Sequence, residues 1–283
     1  MKKIAFWKMA GAGNDFVVID GRTDLSADLK KDFFKRVCTR GLSVGADGVI
    51  IISRSGAAEF RVKFYNSDGS VQRFCGNGSR CASRYAFLNG IGGPDLTFEA
   101  DDGIHQASIR DETVSVSIGE VQKVSPPIAI TAEKKKWKGR SIDVGVPHFV
   151  TEQDEMDCLD VGLFGRALRN HGKFHPVGTN VDFIRFEKDG SVKIRTYERG
   201  VEGETLSCGS GCSAAAIYAL HVKHCSSPIV FHTRSSVDLK VIFKDGGGKA
   251  RHLILEGDAR IIFKGELHRE ALSGFTPFSG RLA

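Results

Sequence analysis

The stretch ETLSCGSGCSAAA, residues 204–216, places a cysteine directly before a Gly-Ser-Gly turn and a run of alanines. Alanine has the highest helix propensity, so this pattern predicts a helix that begins just after Cys208. The stretch FCGNGSRCASRYAFL, residues 74–88, has the same order, with Cys75 before a Gly-Asn-Gly turn. The chain therefore places two thiols at the starts of two predicted helices.

The two stretches belong to an internal repeat. At an offset of 133 residues, Cys75, Gly76 and Gly78 coincide with Cys208, Gly209 and Gly211, and the downstream matches are Ala82 with Ala215, Tyr85 with Tyr218, and Ala86 with Ala219. Upstream, residues 65–66 resemble residues 197–198 with a slip of one position, and GNDF at 13–16 resembles NVDF at 180–183. Chance and glycine richness explain a lone Gly-x-Gly, but not matched cysteine, alanine and tyrosine positions. The repeat therefore predicts two half-molecules of similar fold.

Two thiols at helix starts favour acid and base chemistry on one small molecule. The first turn of a helix presents backbone N–H groups and partial positive charge, which favours a thiolate and binds a carboxylate. Racemisation of an amino acid needs one group to take the α-proton from one face and another to supply a proton to the opposite face. Cys75 and Cys208 are therefore candidates for such a pair.

Alternating apolar segments bounded by turn residues predict a sheet-rich α+β fold built from hairpins. Predicted strands lie at 16–21, 48–53, 60–69, 96–100, 112–119, 141–150, 180–186, 191–200, 228–233, 236–243 and 251–267, and predicted helices at 28–40, 77–89, 158–171 and 210–224. Pro126 and Pro127 precede a basic stretch at 133–140, which is interpreted as a solvated loop. A domain boundary is expected near residue 122.

Composition excludes several classes of protein. The net charge of +6 is mild and scattered, which argues against nucleic acid as a partner. Lys8 interrupts the apolar run near the start, and no stretch reaches the roughly 18 apolar residues of a membrane helix, so a cytoplasmic protein without membrane contact is expected. Seven cysteines, an odd number, argue against a disulfide framework, and their spacing does not match a zinc site.

The other cysteines are assigned structural roles. Buried packing is expected for Cys38, Cys158 and Cys225, and packing on a helix face for Cys81 and Cys212. A Cys–His nucleophile with His148 or His175 as base stays open, as does a redox sensor, although the sequence contains no partner motif for one. A disulfide between the two candidate thiols would be an inactive form in a reducing cytosol.

The chain resembles the diaminopimelate epimerases, within the pyridoxal-phosphate-independent amino acid racemases. The resemblance covers nearly the whole chain and rests on GAGNDFVVID (11–20), GADG (45–48), FYNSDGS (64–70), CGNGSRCASRYA (75–86), NVDF (180–183), YERG (197–200) and ETLSCGSG (204–211). It implies two pseudo-symmetric domains, each a curved, mainly antiparallel sheet around a central helix, with the active site in the cleft between them. The expected halves are 1–122, joined by 270–283, and 123–269.

The resemblance also implies the site. Cys75 and Cys208 would be the catalytic thiols. The residues expected to bind substrate are Asn14, Asn66, Gly76, Asn77, Asn180, Glu198, Arg199, Gly209 and Ser210, with His148 in support. The implied reaction is cofactor-independent epimerisation of LL-diaminopimelate to the meso form, for lysine and peptidoglycan precursors, with a small amino acid as the partner and no metal. A homodimer stays open.

Three departures from the family pattern concern specificity. Val146 stands where the family has asparagine in Gly-Asn-Pro-His, one extra residue lies between Arg199 and Glu204, and Gly48 stands where some members have glutamine. Relaxed specificity toward shorter dicarboxylic amino acids such as glutamate is therefore one expectation. A racemase of another amino acid, such as glutamate or a proline derivative, is the enzymatic alternative, and an amino-acid-binding protein is the non-enzymatic one; Asn77 counts against the proline racemases, which usually have histidine there.

Overall fold

The computed structural model describes residues 4–22, 30–247 and 250–276. By contacts, the chain divides into two compact units. Unit 1 comprises Met1–Val116 and Asp258–Ala283, and unit 2 comprises Ser117–Gly257. Within the described residues, each unit is a sheet with one long α-helix, one short α-helix and a single turn of 3-10 helix.

Unit 1 contains the helices α1 (Lys31–Cys38) and α2 (Gly76–Leu88). Its strands are β1 (Ile4–Gly11), β2 (Asn14–Asp20), β3 (Gly48–Ser53), β4 (Phe60–Asn66), β5 (Val71–Gln72), β6 (Asp95–Ala100), β7 (Gly103–Arg110), β8 (Thr113–Ser117) and β19 (Arg260–Leu267). They pair in the order β19-β1-β2-β3-β4-β6-β7-β8, with β5 beside β4. The pairs β2–β3 and β4–β6 are parallel and the others antiparallel.

Unit 2 contains the helices α3 (Val161–Arg169) and α4 (Gly209–Lys223). Its strands are β9 (Lys123–Val124), β10 (Ile128–Ala132), β11 (Lys135–Asp143), β12 (Pro147–Glu152), β13 (Asn180–Phe186), β14 (Val192–Glu198), β15 (Gly203–Thr205), β16 (Ile229–His232), β17 (Asp238–Asp245) and β18 (Ala250–Asp258). They pair in the order β10-β11-β12-β13-β14-β16-β17-β18, with β15 beside β14 and β9 beside β11. The pairs β12–β13 and β14–β16 are parallel.

The two strand orders are the same, which confirms the internal repeat. In both units the parallel pairs occupy the same places in the strand order. The long helix of each unit follows the short strand, β5 beside β4 in unit 1 and β15 beside β14 in unit 2. The one-residue slip lies in the loop between those two strands: Tyr65 pairs with Val71, whereas Tyr197 pairs with Glu204. The similarity of 13–16 to 180–183 is not part of the repeat, because β2 corresponds to β12 while β13 corresponds to β3.

Each long helix is wrapped by its sheet. Helix α2 packs against β1, β2, β3, β4 and β7, and α4 packs against β11, β12, β13 and β17. Since these strands lie on both sides of the middle of each order, each sheet must curve around its helix. Consequently α4 is buried on nearly all faces, from Gly211 to Leu220. The expected fold class is confirmed.

The basic stretch at 133–140 is not a loop. Glu133 and Lys134 have positive φ angles and form the turn of a hairpin, and β11 follows with Trp137 fully buried while its lysines are exposed. The alternation of buried and exposed residues is that of a strand with one face on a core. The high lysine content of β11 masked the alternation of buried and exposed residues in the sequence.

Three further differences concern strand boundaries. The expected strands 141–150 and 251–267 are each two strands, separated at Val144–Val146 and at Ala259. Strands β1, β7 and β10 and the short strands β5, β9 and β15 were not predicted. Strand β19 pairs with β1 along Ile4–Ala10, so the chain returns to unit 1 at Asp258 and not at residue 270 as expected.

Within the described residues, every helix is too short or too polar to cross a membrane. The four predicted helices are present at Lys31–Cys38, Gly76–Leu88, Val161–Arg169 and Gly209–Lys223; positions 28 and 29 of the first lie outside the described residues.

Close packing of α3 on β14 gives a test of the unit 2 core. A Cβ atom at Gly165 would lie 2.5 Å from Tyr197 Cβ, in a core that also contains Trp137 and Phe183. We expect Gly165→Ala to lower the free energy of unfolding by about 1 to 3 kcal/mol, because the helix must move off the strand. Gly162→Ala, in the same helix, meets only Asp160 Oδ1 at 3.3 Å and is the control. Equal urea midpoints for the two variants would contradict this packing.

Candidate active site

Cys75 is the N-cap residue of α2. Its backbone is extended, with φ −142° and ψ 111°, and its Sγ accepts a hydrogen bond from Gly78 N at 3.4 Å. The thiol therefore takes the place that serine or aspartate usually occupies at a helix start. A thiolate here faces the positive end of the helix dipole, which lowers its free energy.

Cys208 has the same position in unit 2. It is the N-cap of α4, with φ −129° and ψ 109°, and its Sγ accepts from Gly211 N at 3.4 Å. The two caps agree to within about 15° in φ. The exposure differs, since Cys75 is partly exposed whereas Cys208 is 6% exposed.

The third residue of each helix must be glycine. A Cβ at Gly78 would lie 2.9 Å from Phe64 Cε1, and a Cβ at Gly211 would collide with Asp182 Oδ1. The first turn of each helix thus lies directly against the strands beneath it. This close approach, and not a positive φ, explains why both stretches keep glycine three residues after the cysteine.

The strands beneath the two helices carry different side chains. Ile50 pairs with Phe64 across β3 and β4, and Asp182 pairs with Thr196 across the corresponding strands of unit 2. By the same register, Phe16 corresponds to His148. The residues under α2 are therefore apolar, whereas those under α4 are polar, although both sets are almost fully buried.

A chain of hydrogen bonds runs from these polar residues to Cys208. His148 Nδ1 lies 2.7 Å from Asp182 Oδ2, and both side chains are fully buried. His148 Nε2 lies 3.0 Å from Ser210 Oγ, which lies 3.3 Å from Cys208 Sγ. Thr196 Oγ1 donates to the other oxygen of Asp182 at 2.8 Å.

Asn180 joins this chain to the Arg199 loop. Its Oδ1 accepts from the backbone N of Arg199 at 2.8 Å, and its Nδ2 lies 3.3 Å from His148 Nε2. The guanidinium of Arg199 donates to Val177 O at 3.2 Å. Glu198, the last residue of β14, is partly exposed. The expected unit 2 residues thus lie together around Cys208.

Burial raises the pKa of the Cys208 thiol well above its ordinary value, and the neighbouring carboxylates of Glu198 and Asp182 add to this effect. Burial and negative charge both disfavour the thiolate. The Cys208 side chain is therefore more stable as a thiol.

In unit 1, Asn77 is buried at the first turn of α2. Its Oδ1 accepts from Arg80 Nη2 at 2.9 Å, and Arg80, itself fully buried, also donates to Asp258 O at 3.1 Å. Asn66 ends β4 and is exposed, with its Nδ2 donating to Ser70 Oγ at 2.9 Å. Arg80 was not predicted from the sequence, although an arginine near the start of a buried helix is a signal.

Asn14 is held by a charged cluster of Lys8, Asp15, Arg40 and Asp47. Its Nδ2 donates to Asp47 Oδ2 at 2.7 Å. Arg40 bridges Asp15 and Asp47, and the buried Lys8 binds Asp15 Oδ2 at 2.6 Å and Gly45 O. The cluster therefore fixes the amide at the start of β2 and explains the GADG motif.

The remaining cysteines divide by exposure. Cys38, Cys81 and Cys212 are buried, as expected, and burial raises the pKa of Cys38 and Cys81 to about 12. The expected burial of Cys158 is wrong, because it lies in the loop before α3 and is exposed; Cys225 is partly exposed. His175 is exposed, with its Nε2 3.1 Å from Asn170 O. Among the described residues, no cluster of histidine, cysteine and carboxylate side chains could hold a metal ion.

Comparison with known proteins identifies the family. The family model for diaminopimelate epimerase matches residues 6–124 and 140–262. The chain belongs to the diaminopimelate epimerase family. A diaminopimelate epimerase of Hydrogenobaculum sp. (strain Y04AAS1) is 41% identical over 93% of this chain and 98% of its own length. That of Aquifex aeolicus is 39% identical over 94% and 99%.

A solved structure confirms the fold. The phenazine biosynthesis protein of the PhzF family from Bacillus anthracis superposes with a TM-score of 0.72 at 13% identity, over 95% of this chain and 100% of that chain. At this identity the likeness shows the fold alone. The diaminopimelate epimerase family thus shares its architecture with proteins of distant sequence.

The cluster around Asn14 predicts a pH-dependent stability. Burial raises the pKa of Asp15, but hydrogen bonds from Arg40 and Lys8 outweigh it and lower the pKa to about 2. A lowered pKa in the folded state gives stability that is present above the unfolded value of about 4 and is lost as the pH falls toward 2. We expect Asp15→Asn to lower the free energy of unfolding by roughly 1 to 2 kcal/mol at pH 7.

The measurement is urea unfolding at pH values from 7 down to 3. The difference between wild type and Asp15→Asn should shrink as the pH falls, and Arg40→Gln should show part of the same trend because it removes one of the cations. A difference that is constant over this range would show that the ion pairs do not stabilise the folded state.

Proposed function

We propose that this protein inverts one α-carbon of LL-diaminopimelate to give the meso form, a step toward lysine and peptidoglycan precursors. The observation that carries the proposal is the pair of thiols, Cys75 and Cys208, which cap equivalent helices in two repeated units of a diaminopimelate epimerase family member. The small amino acid substrate is consistent with this family.

In the proposed reaction the two thiols act on opposite faces of the α-carbon. The thiolate of one cysteine takes the α-proton, and the electron pair of the broken C–H bond is delocalised into the adjacent carboxylate. The thiol of the other cysteine then donates its proton to the opposite face. After one turnover the protonation states of Cys75 and Cys208 are exchanged, so the reverse reaction uses the same groups in opposite roles.

The helix starts supply the stabilisation that this carbanion-like state needs. The N–H groups of Gly76 and Asn77, and those of Gly209 and Ser210, precede the first intrahelical bonds, Ser79 N to Cys75 O and Cys212 N to Cys208 O. Such groups point out of the helix end. We propose that they donate to the substrate carboxylate, where negative charge grows during proton removal.

The far end of the substrate is assigned to side chains of both units. Arg199 would pair with the distal carboxylate, a geometry that suits a guanidinium. Asn14, Asn66 and Glu198 would bind the distal groups through amide and carboxylate atoms. Both polar atoms of the Asn180 amide already face protein atoms, which supports an additional role for Asn180 in holding the Arg199 backbone.

The proposal requires reduced cysteines and no cofactor, because both acid and base come from the chain. A reducing compartment keeps thiols from forming a disulfide. We therefore also propose that the protein acts in the cytoplasm.

Replacement of either proposed catalytic thiol gives the direct test. We expect Cys75→Ala and Cys208→Ala each to lower the rate of epimerisation by about 10² to 10⁴-fold, since each serves a different face. The assay follows α-proton exchange and inversion of LL-diaminopimelate in deuterated water with reducing agent. An amino-acid-binding protein would give no exchange in wild type.

The matched controls lie in the same two helices. Cys81→Ala and Cys212→Ala remove fully buried thiols that follow the caps in the same helices, so they should retain epimerisation and lose only stability. Near-normal epimerisation by Cys75→Ala or by Cys208→Ala would contradict the two-thiol mechanism.

Relaxed specificity is a second prediction, and it rests on Val146. This residue lies in the turn between β11 and β12, two residues before His148, and is partly exposed. An asparagine there would add a polar contact to the distal end of the substrate. We expect Val146→Asn to raise the ratio of kcat/KM for diaminopimelate over glutamate by an amount equivalent to roughly 1 to 3 kcal/mol. An unchanged ratio would show that position 146 does not contact the substrate.

A further inference from the structure

The two proposed catalytic thiols have equivalent positions but chemically different surroundings. Under the Cys75 helix the corresponding residues are Phe16, Ile50 and Phe64. Under the Cys208 helix they are His148, Asp182 and Thr196. Burial of an ionised carboxylate destabilises the folded state unless the carboxylate is well paired, and Asp182 is fully buried.

The hydrogen bonds of Asn180 determine the tautomer of His148. Asn180 Oδ1 accepts from the N–H of Arg199, so the atom that faces His148 is the Nδ2 donor. A donor at 3.3 Å requires His148 Nε2 to be an acceptor. The ring must then carry its proton on Nδ1, where it is donated to Asp182 Oδ2 at 2.7 Å. The contacts of the two ring nitrogens are therefore those of the tautomer protonated on Nδ1.

This tautomer sets the direction of the next two hydrogen bonds. With Nε2 as acceptor, the 3.0 Å contact is a hydrogen bond only if the Ser210 hydroxyl donates to it. The hydroxyl has one proton, so toward Cys208 Sγ, 3.3 Å away, Ser210 can only accept. The S–H of Cys208 is then the donor, shared between Ser210 Oγ and the carboxylate of Glu198.

We infer that Asp182 is a positioning residue which, through the tautomer of His148 and the hydroxyl of Ser210, holds Cys208 as the thiol in the resting protein. In unit 1 Phe16 and Ile50 take the places of His148 and Asp182, and their side chains cannot form this hydrogen-bonded pair. This step depends on the proposed function: in the protein without substrate, Cys208 is the acid and Cys75 is the base. The pseudo-symmetry supplies two thiols, and Asp182 makes them unequal.

The charges around Cys208 agree with this assignment. The titratable groups of unit 2 that face the thiol are Asp182 on β13, His148 on β12 and Glu198 at the end of β14. Two of these groups are carboxylates, and their negative charge favours the protonated thiol. At the position of Glu198, unit 1 has the neutral Asn66, because each directly follows the tyrosine that pairs with the preceding strand, Tyr197 with Val181 and Tyr65 with Val49.

The tautomer can be measured in the intact wild-type protein without substrate. Nitrogen-15 NMR of the histidine side chains distinguishes Nδ1-protonated, Nε2-protonated and doubly protonated rings, and the spectrum of His148→Gln assigns the His148 signals. We expect a neutral ring protonated on Nδ1 at pH 7. A ring protonated on Nε2, or on both nitrogens, would overturn the inference.

Asp182→Asn tests the effect on the thiol. An asparagine amide donates to Nδ1 and forces the proton to Nε2, as in Ser-His-Asp triads with the same change. Ser210 would then accept from His148 and donate to Cys208, which favours the thiolate. We expect alkylation of Cys208 by iodoacetamide at pH 7, followed by peptide mass spectrometry, to accelerate by about tenfold or more, equivalent to one pKa unit.

Two controls separate this effect from general loosening of the buried site. The Cys75 peptide in the same sample should keep its wild-type rate. Thr196→Val removes the bond to Asp182 Oδ1 but leaves the contact of Oδ2 with His148, so Cys208 should keep its wild-type rate there as well. An unchanged Cys208 rate in Asp182→Asn, or equal acceleration in both variants, would overturn the inference.

The readouts do not depend on turnover. If wild type fails to epimerise diaminopimelate but shows the expected tautomer and alkylation rates, the proposed function fails and the positioning role of Asp182 stands. If wild type is active and His148 is protonated on Nε2, only the positioning role fails.

Discussion

The structure depends on the contact between the first turn of each long helix and the strands beneath it. The cap hydrogen bonds from Gly78 and Gly211 to the sulfur atoms bring the third residue of each helix onto the sheet, where no Cβ fits. This contact fixes the position of each thiol relative to the strands. It also means that the residues on those strands, and not the helix, determine the chemical surroundings of the sulfur.

The two units therefore share the geometry around the thiol but differ in the side chains that surround it. The strand order, the two parallel pairs and the cap geometry are shared by the two units, so a duplicated architecture places two thiols in equivalent positions. The differences lie at a few buried places, where Phe16, Ile50 and Asn66 correspond to His148, Asp182 and Glu198. Substitution at buried, register-matched positions is sufficient to give two equivalent thiols different proton affinities.

Much of the fold could be predicted from the sequence, because the period of hydrophobic residues and the turn residues were clear at all four helices and at most strands. The failures have physical causes. In β11 Lys136 and Lys138 lie on the face opposite Trp137 and Lys135 lies over the Trp137 ring, so composition concealed the alternation. Strands β18 and β19 run together in sequence because the single residue between them, Ala259, is apolar, although they belong to different units.

The site was less predictable than the fold. The caps and glycines follow from local sequence, so Cys75 and Cys208 were found directly. Asp182, Arg80 and Asp47 were missed because their roles arise from contacts between distant segments: Asp182 meets His148 across 34 residues, and Arg80 meets Asp258 across 178. The local signals were an isolated carboxylate between valine and phenylalanine in a strand, for Asp182, and an arginine near the start of a buried helix, for Arg80.

The pairing of β1 with β19 has a consequence for synthesis of the chain on the ribosome. Unit 2 is continuous in sequence, so it can complete its sheet as soon as residue 257 has emerged from the exit tunnel. Unit 1 cannot complete its sheet at that point, because β19, the partner of β1, is translated about 250 residues after β1. During that interval the nascent protein presents the unpaired edge of β1, a surface to which strands of other chains can add.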